Sequence, residues 1–180
     1  MKRIPEYFGE QPSISLDSVA SVPPRLLRQE RDWTCSVACI RTILSAMETE
    51  IPSENDFIQK YALEVGGHYT EEILQKKMFG KNKNIVTKRD FPHQDISPST
   101  LNKLLQEKYL IMAECMYNYA HWVVILGYFS PCNRCDIEEH QILLYDPYYD
   151  MVRLVIADEF FTMWCDPSGH KQEFIAVKKN

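Results

Sequence analysis

The chain predicts an α+β fold, with helices in its first half and an antiparallel sheet in its second. Three observations carry this. Apolar residues recur at helical steps in several segments before residue 106. From Leu110 onward they come in short runs separated by short polar connections. The 180 residues are the length of one domain with a substantial core.

Residues 1–24 contain Pro5, Pro12, Pro23 and Pro24 and little periodicity, which predicts an extended arm lying on a domain spanning 25–180. Within that arm Ile14 and Leu16 alternate with polar residues, as in a short edge strand. The charged run Arg28 to Asp32 reads as loop, and Val37, Ile40, Leu44 and Met47 then mark a helix. Ser53, with Asp56 three residues on, caps a short helix that turns Phe57, Ile58 and Tyr61 inward. Gly66-Gly67 marks a turn. Thr70-Glu71-Glu72 opens a capped helix expected to run to Phe79, with Gly80 ending it. A short strand follows at Ile85-Val86. Ser97-Pro98 supplies an N-cap and an N1 proline for a helix with Leu101, Leu104 and Leu105 on one face.

The runs 110–115, 121–128, 140–145 and 151–155 then predict an antiparallel meander. Residues 158–164 form an amphipathic helix and 173–178 a closing strand.

A net charge of −5 with no basic stripe argues against a nucleic-acid partner, and no apolar run is long enough to span a membrane. The basic cluster at Lys76, Lys77, Lys81 and Lys83 reads as a solvated helix end and loop. No apolar stretch follows the basic residues at the N-terminus, so no secretory signal is read. The expected location is cytoplasmic, with delivery by a specialised secretion route left open, and six cysteines are expected as reduced thiols.

Cys35 sits where the loop enters the first helix. The first turn of a helix presents unpaired N–H groups and the positive end of the dipole, which stabilise a thiolate, the form that attacks a carbonyl. Gln29, six residues earlier, can fold its amide beside the sulfur as a donor to an oxyanion. His121 opens one buried run and Asp146 ends another, so neighbouring strands can bring imidazole and carboxylate together. His140 is the reserve for the base and Asp150 the reserve for the acid.

These residues carry a resemblance. Gln29-x-x-x-Trp33-x-Cys35-x-x-Ala38-Cys39, then His121-Trp-Val-Val-Ile-Leu-Gly127-Tyr128, then Tyr145-Asp146-Pro147-x-Tyr149 resemble the papain-like cysteine peptidases. Within that superfamily the chain is most similar to the bacteriocin-processing (double-glycine) peptidase-like group. The pattern Trp-x-Cys-x-x-Ala-Cys is also similar to the eukaryotic guanylyl-cyclase-like proteins. The resemblance spans roughly residues 25 to 178. It implies a papain-like fold and a Cys35–His121–Asp146 triad with Gln29 in the oxyanion hole, acting on a peptide or protein substrate. Thr34-Cys35-Ser36 stands where the family usually has Asp-Cys-Gly. Ser36 keeps its backbone N–H but adds a side chain where close substrate approach favours glycine.

Four readings of function follow: a thiol hydrolase, an acyl transferase with the same machinery, a silent binding domain of the same fold, and a cyclase. The last lacks a phosphate-cradling glycine loop and a pair of metal carboxylates. Cys132 and Cys135 form one metal-type knuckle, with His140, Cys165 and His170 in the same third of the chain. No second knuckle completes it, and a loop with free thiols is the expected reading; no cofactor is called. Cys39 and Cys115 are expected in the core, and His68, His93 and His170 in loops. Trp33, Trp122, Tyr148 and Tyr149 flank the site as groove lining or core.

Overall fold

Six strands in one antiparallel sheet, clad by helices on both faces, make up the computed structural model, which describes residues 24–92, 94–116, 119–129, 140–165 and 172–180. The elements run α1 (Cys35–Ser45), α2 (Glu54–Tyr61), α3 (Thr70–Gln75), β1 (Lys83–Thr87), α4 (Pro98–Gln106), β2 (Leu110–Met116) and β3 (Ala120–Phe129). They end with β4 (Gln141–Asp146), β5 (Met151–Ile156), α5 (Ala157–Met163) and β6 (Phe174–Lys179). The expected edge strand at Ile14 and Leu16 and the rest of the arm before Pro24 lie outside the described residues, as do His93, Cys132, Cys135 and His170.

The sheet order is β1-β6-β2-β3-β4-β5. Strands β2 to β5 are the expected meander, but β6 slots between β1 and β2. The two faces carry separate cores. Met112, Trp122, Val124, Tyr145 and Val177 pack against the α1–α3 side through Val37, Ile40, Ile43 and Phe57. Ile111, Val123, Ile125 and Leu144 pack with Leu101 and Leu105 of α4, Phe160 of α5 and Trp164 just after it on the other. Covering both faces explains why β2 and β3 read as nearly continuous apolar runs instead of alternating.

Helix α1 is buried from Cys35 to Leu44, polar residues included. Its hydroxyls are used: Thr42 Oγ1 accepts the Leu27 N–H at 3.1 Å and Ser45 Oγ accepts that of Arg25 at 2.7 Å. The extended segment before α1 is thereby tied along the helix flank. The caps at Ser53 and Ser97 form as expected, accepting from the N–H groups of Asp56 and Thr100.

The helix expected to run to Phe79 stops at Gln75. Lys77 takes a left-handed backbone (φ 51°), which ends the helix and turns Met78 and Phe79 into the core. Thr70 does not cap it either: the N-cap position is Tyr69, and the Thr70 hydroxyl donates to Glu173 at 3.0 Å. Tertiary contacts override the local signal at both ends. Among the described residues no helix is long and apolar enough to cross a membrane.

Ile43 is fully buried on the face of α1 that meets the sheet. Truncating it removes methylene groups and leaves a void between two rigid layers. Ile43→Ala should lower unfolding free energy by about 2–5 kcal/mol, read as a lower urea midpoint at unchanged m-value; a midpoint equal to wild type would contradict this packing.

Candidate active site

The antiparallel pairing of β3 with β4 brings the start of one strand beside the end of the other. Val124 pairs with Tyr145, and a bulge between Ile125 and Gly127 falls on the side away from His121. His121 and Asp146 thus share one end of the sheet. Helix α1 packs against that end, and the Cys39 thiol donates to the Trp122 carbonyl at 3.3 Å. Cys35, one turn earlier on the same helix face, is thereby carried to the residue before Trp122.

The imidazole of His121 lies between two partners. Its Nε2 is 2.8 Å from Asp146 Oδ1, with both side chains almost wholly buried. The Cys35 sulfur acts on the same ring and favours its charged form. Burial disfavours the charged ring, but the hydrogen bonds to Asp146 and Cys35 and the field of both raise its pKa from 6.5 to about 9. Burial also acts to raise the Asp146 pKa. His121 and the N–H groups of Tyr149 and Tyr148 outweigh it, so the carboxyl is held below its ordinary value. Those N–H groups reach Asp146 Oδ1 at 3.4 and 3.0 Å.

Gln29 is buried, and its backbone N–H donates to the Pro147 carbonyl at 3.2 Å, next to Asp146. Its side-chain Nε2 donates to the Arg31 carbonyl at 2.8 Å. An amide nitrogen carries two protons, so one N–H remains for another acceptor. The first helical bond of α1 runs from Ala38 N–H to the Thr34 carbonyl. The N–H groups of Cys35, Ser36 and Val37 therefore precede the helical ladder.

Thr34 leaves those N–H groups uncapped. Its hydroxyl is 2.8 Å from Glu54 Oε1 and 2.9 Å from the Arg31 carbonyl. Glu54, almost wholly buried, also accepts the Glu30 N–H at 3.0 Å, and Arg41 Nη1 stands 3.8 Å away. Burial raises the pKa of Glu54 despite these partners. This carboxylate ties α2 to the loop that carries Gln29. Sequence reasoning missed it, because an acid in the first turn of a helix ordinarily faces solvent and complements the dipole.

A cleft of about 430 Å³ adjoins the site, lined among others by Gln29, Arg31, Tyr148, Tyr149 and Asp150. Cys35 and His121 do not line it. Trp122 is core, whereas Tyr148 and Tyr149 are exposed groove residues and Trp33 is half-buried. The reserve residues are placed elsewhere. His140 precedes the far end of β4, about 20 Å along the strand from Asp146, and pairs with the Tyr128 hydroxyl. Asp150 accepts from the Tyr145 hydroxyl at 3.0 Å.

His68, expected as a loop residue, is in a loop but buried: Nδ1 is 2.9 Å from Glu72 and the ring stands edge-on to Trp33. Cys39 and Cys115 are core thiols whose pKa values burial pushes up. Among the described residues no cluster of three His, Cys, Asp or Glu side chains is placed to hold a metal.

The layering and topology define the class: a papain-like fold, mixed helix and antiparallel sheet. The particular likeness is to the peptidase domain of Streptococcus ComA, a bi-functional ABC transporter involved in a quorum-sensing pathway. It has a TM-score of 0.58 and 14% identity, over 86% of this chain and 96% of that one. No family model and no curated protein matches the chain.

The raised His121 pKa has a stability consequence. A group whose folded pKa exceeds its unfolded value contributes fully below the unfolded pKa and loses that contribution as pH rises through the folded one. The window runs from 6.5 to about 9. Stability should fall across it, and Asp146→Asn should flatten the slope; an NMR titration placing the His121 ring at or below 6.5 would contradict the pairing. Glu54→Ala strands the Glu30 N–H and leaves Arg41 without its buried carboxylate, and should cost about 1–3 kcal/mol in a denaturant titration. A loss no greater than at an exposed acid would deny Glu54 its anchoring part.

Proposed function

We propose that the chain is a thiol hydrolase that cleaves a peptide or related acyl bond. One observation supports this above the others: a single buried imidazole held by Asp146 at 2.8 Å whose pKa the Cys35 sulfur also raises. Cys35, at the first turn of α1, attacks the carbonyl carbon, and His121 holds the thiol proton. The developing oxyanion is met by the spare amide N–H of Gln29 and the backbone N–H of Cys35. His121 then protonates the leaving amine, which departs and leaves an acyl group on sulfur. Water attacks next, giving its proton to His121 and releasing the acid. Asp146 orients the ring and favours its charged form throughout. An amine or alcohol in place of water turns the same steps into acyl transfer.

The peptide as substrate class is supported by the likeness to a domain described as a peptidase. A cyclase reading has no support of this kind. A silent binding domain of the same fold is favoured by Ser36, whose buried hydroxyl stands beside Cys35 with no hydrogen-bond partner among the described residues.

Iodoacetamide labelling mapped by mass spectrometry separates the two readings. Cys35 should alkylate at least about tenfold faster than Cys165, and His121→Ala should slow it by a similar factor. Against any acyl substrate that is found, Gln29→Ala should lower kcat by about 10²–10³. Equal rates at Cys35 and Cys165, unchanged by His121→Ala, would leave only the binding domain.

A further inference from the structure

Three tyrosines run in contact with one another away from the His121 ring. Tyr119 stands edge-on to it at 5.9 Å between centroids and Tyr148 at 6.4 Å. The two tyrosines meet at 6.2 Å, and Tyr149 continues the row from Tyr148 at 5.0 Å. The Arg153 guanidinium covers Tyr149 at 4.6 Å. Aromatic rings of this kind normally hide in a core, yet Tyr119 is 47%, Tyr148 37% and Tyr149 55% exposed. Tyr148 and Tyr149 belong to the turn between β4 and β5 and also wall the cleft beside Gln29. The backbone N–H groups of that turn hold Asp146 Oδ1, so the rings are presented by the same loop that fixes the acid.

The chemistry of the proposed reaction says which half of a substrate such a row would meet. The oxyanion lies at the helix start, on the sulfur side. The leaving atom takes its proton from His121, so it must stand against that ring. Groups packed around the imidazole therefore face the leaving group and not the acyl group. The Tyr119–Tyr148 pair offers flat, half-wet apolar surface with hydroxyls at its rim, which suits an aromatic or large aliphatic side chain.

We propose that Tyr119 and Tyr148 form the leaving-group subsite of this site and select substrates whose leaving amine carries an aromatic or large apolar side chain. This rests on the thiol-hydrolase reading above. By microscopic reversibility the same subsite receives any amine that attacks the acyl-enzyme, so the natural substrate is not needed to test it.

The probe is p-nitrophenyl acetate. Cys35 Sγ attacks its carbonyl carbon, p-nitrophenolate leaves with the ester oxygen, and the thiol proton passes through His121 to solvent. The acetyl-Cys35 then partitions between water and an added amine. The amine nitrogen bonds to the carbonyl carbon and gives its proton to His121, and the carbon–sulfur bond breaks to return the thiolate. The readout is the ratio of acetylated amine to acetate, which is independent of how fast the acyl-enzyme forms.

L-Phenylalaninamide should capture the acetyl group about tenfold better than glycinamide. The preference should fall towards unity in Tyr148→Ala and in Tyr119→Ala, two exposed positions whose substitution leaves the core intact. Equal capture of the two amides by the wild type, or a preference untouched by both substitutions, overturns the subsite while leaving the nucleophile in place. Failure of acetyl-Cys35 to form overturns the thiol-hydrolase reading and the subsite with it.

Discussion

A ring nitrogen of a histidine with almost no solvent access costs free energy when it lacks a partner, and most of the architecture near His121 answers that constraint. One nitrogen is met by Asp146 across the strand pair, and the sulfur at the start of α1 adds to the raised pKa. Burial opposes the charged ring, and the two partners reverse its effect. The outcome is an imidazole whose pKa lies well above its ordinary value, at about 9. If α1 were displaced by even one turn the ring would lose its second partner, so the helix–sheet packing and the electrostatics of the site are one constraint.

The segment before α1 extends that constraint to Gln29. The hydroxyls of Thr42 and Ser45 fasten the segment along the helix. The Pro147 carbonyl then takes the Gln29 N–H and Glu54 takes that of Glu30. The oxyanion candidate is thus moored to the turn that holds the acid and to the helix next in sequence. Thr34, by turning its hydroxyl towards Glu54, leaves the helix N–H groups uncapped where a developing negative charge would need them. A cap would stabilise the helix by about 1 kcal/mol, so forgoing it is the kind of local sacrifice that sites show and scaffolds rarely do.

Element by element, the residues that announced themselves did so through local chemistry. Ser53 and Ser97 capped their helices because a hydroxyl three residues before an N–H needs nothing from the rest of the chain. Thr70 failed as a cap because Glu173, about a hundred residues later, competes for its hydroxyl. Its helix stopped early because Met78 and Phe79 had a core to enter. Glu54 and His68 were illegible for the same reason: burial of a polar side chain depends on what folds over it. Tyr148 and Tyr149 could not be assigned to groove or core from their neighbours in sequence.

What the amino-acid order determined by itself was the class of fold and the four residues worth examining. Helical and strand periods are properties of nearest neighbours, and the succession of Gln29, Cys35, His121 and Asp146 is a property of the linear chain. What only the tertiary structure decided was convergence: β6 inserted beside β2, both sheet faces covered, and one imidazole enclosed between a sulfur and a carboxylate. Strand order and side-chain burial arise from long-range packing, whose free energy is set by the assembled layers and by no single stretch of sequence.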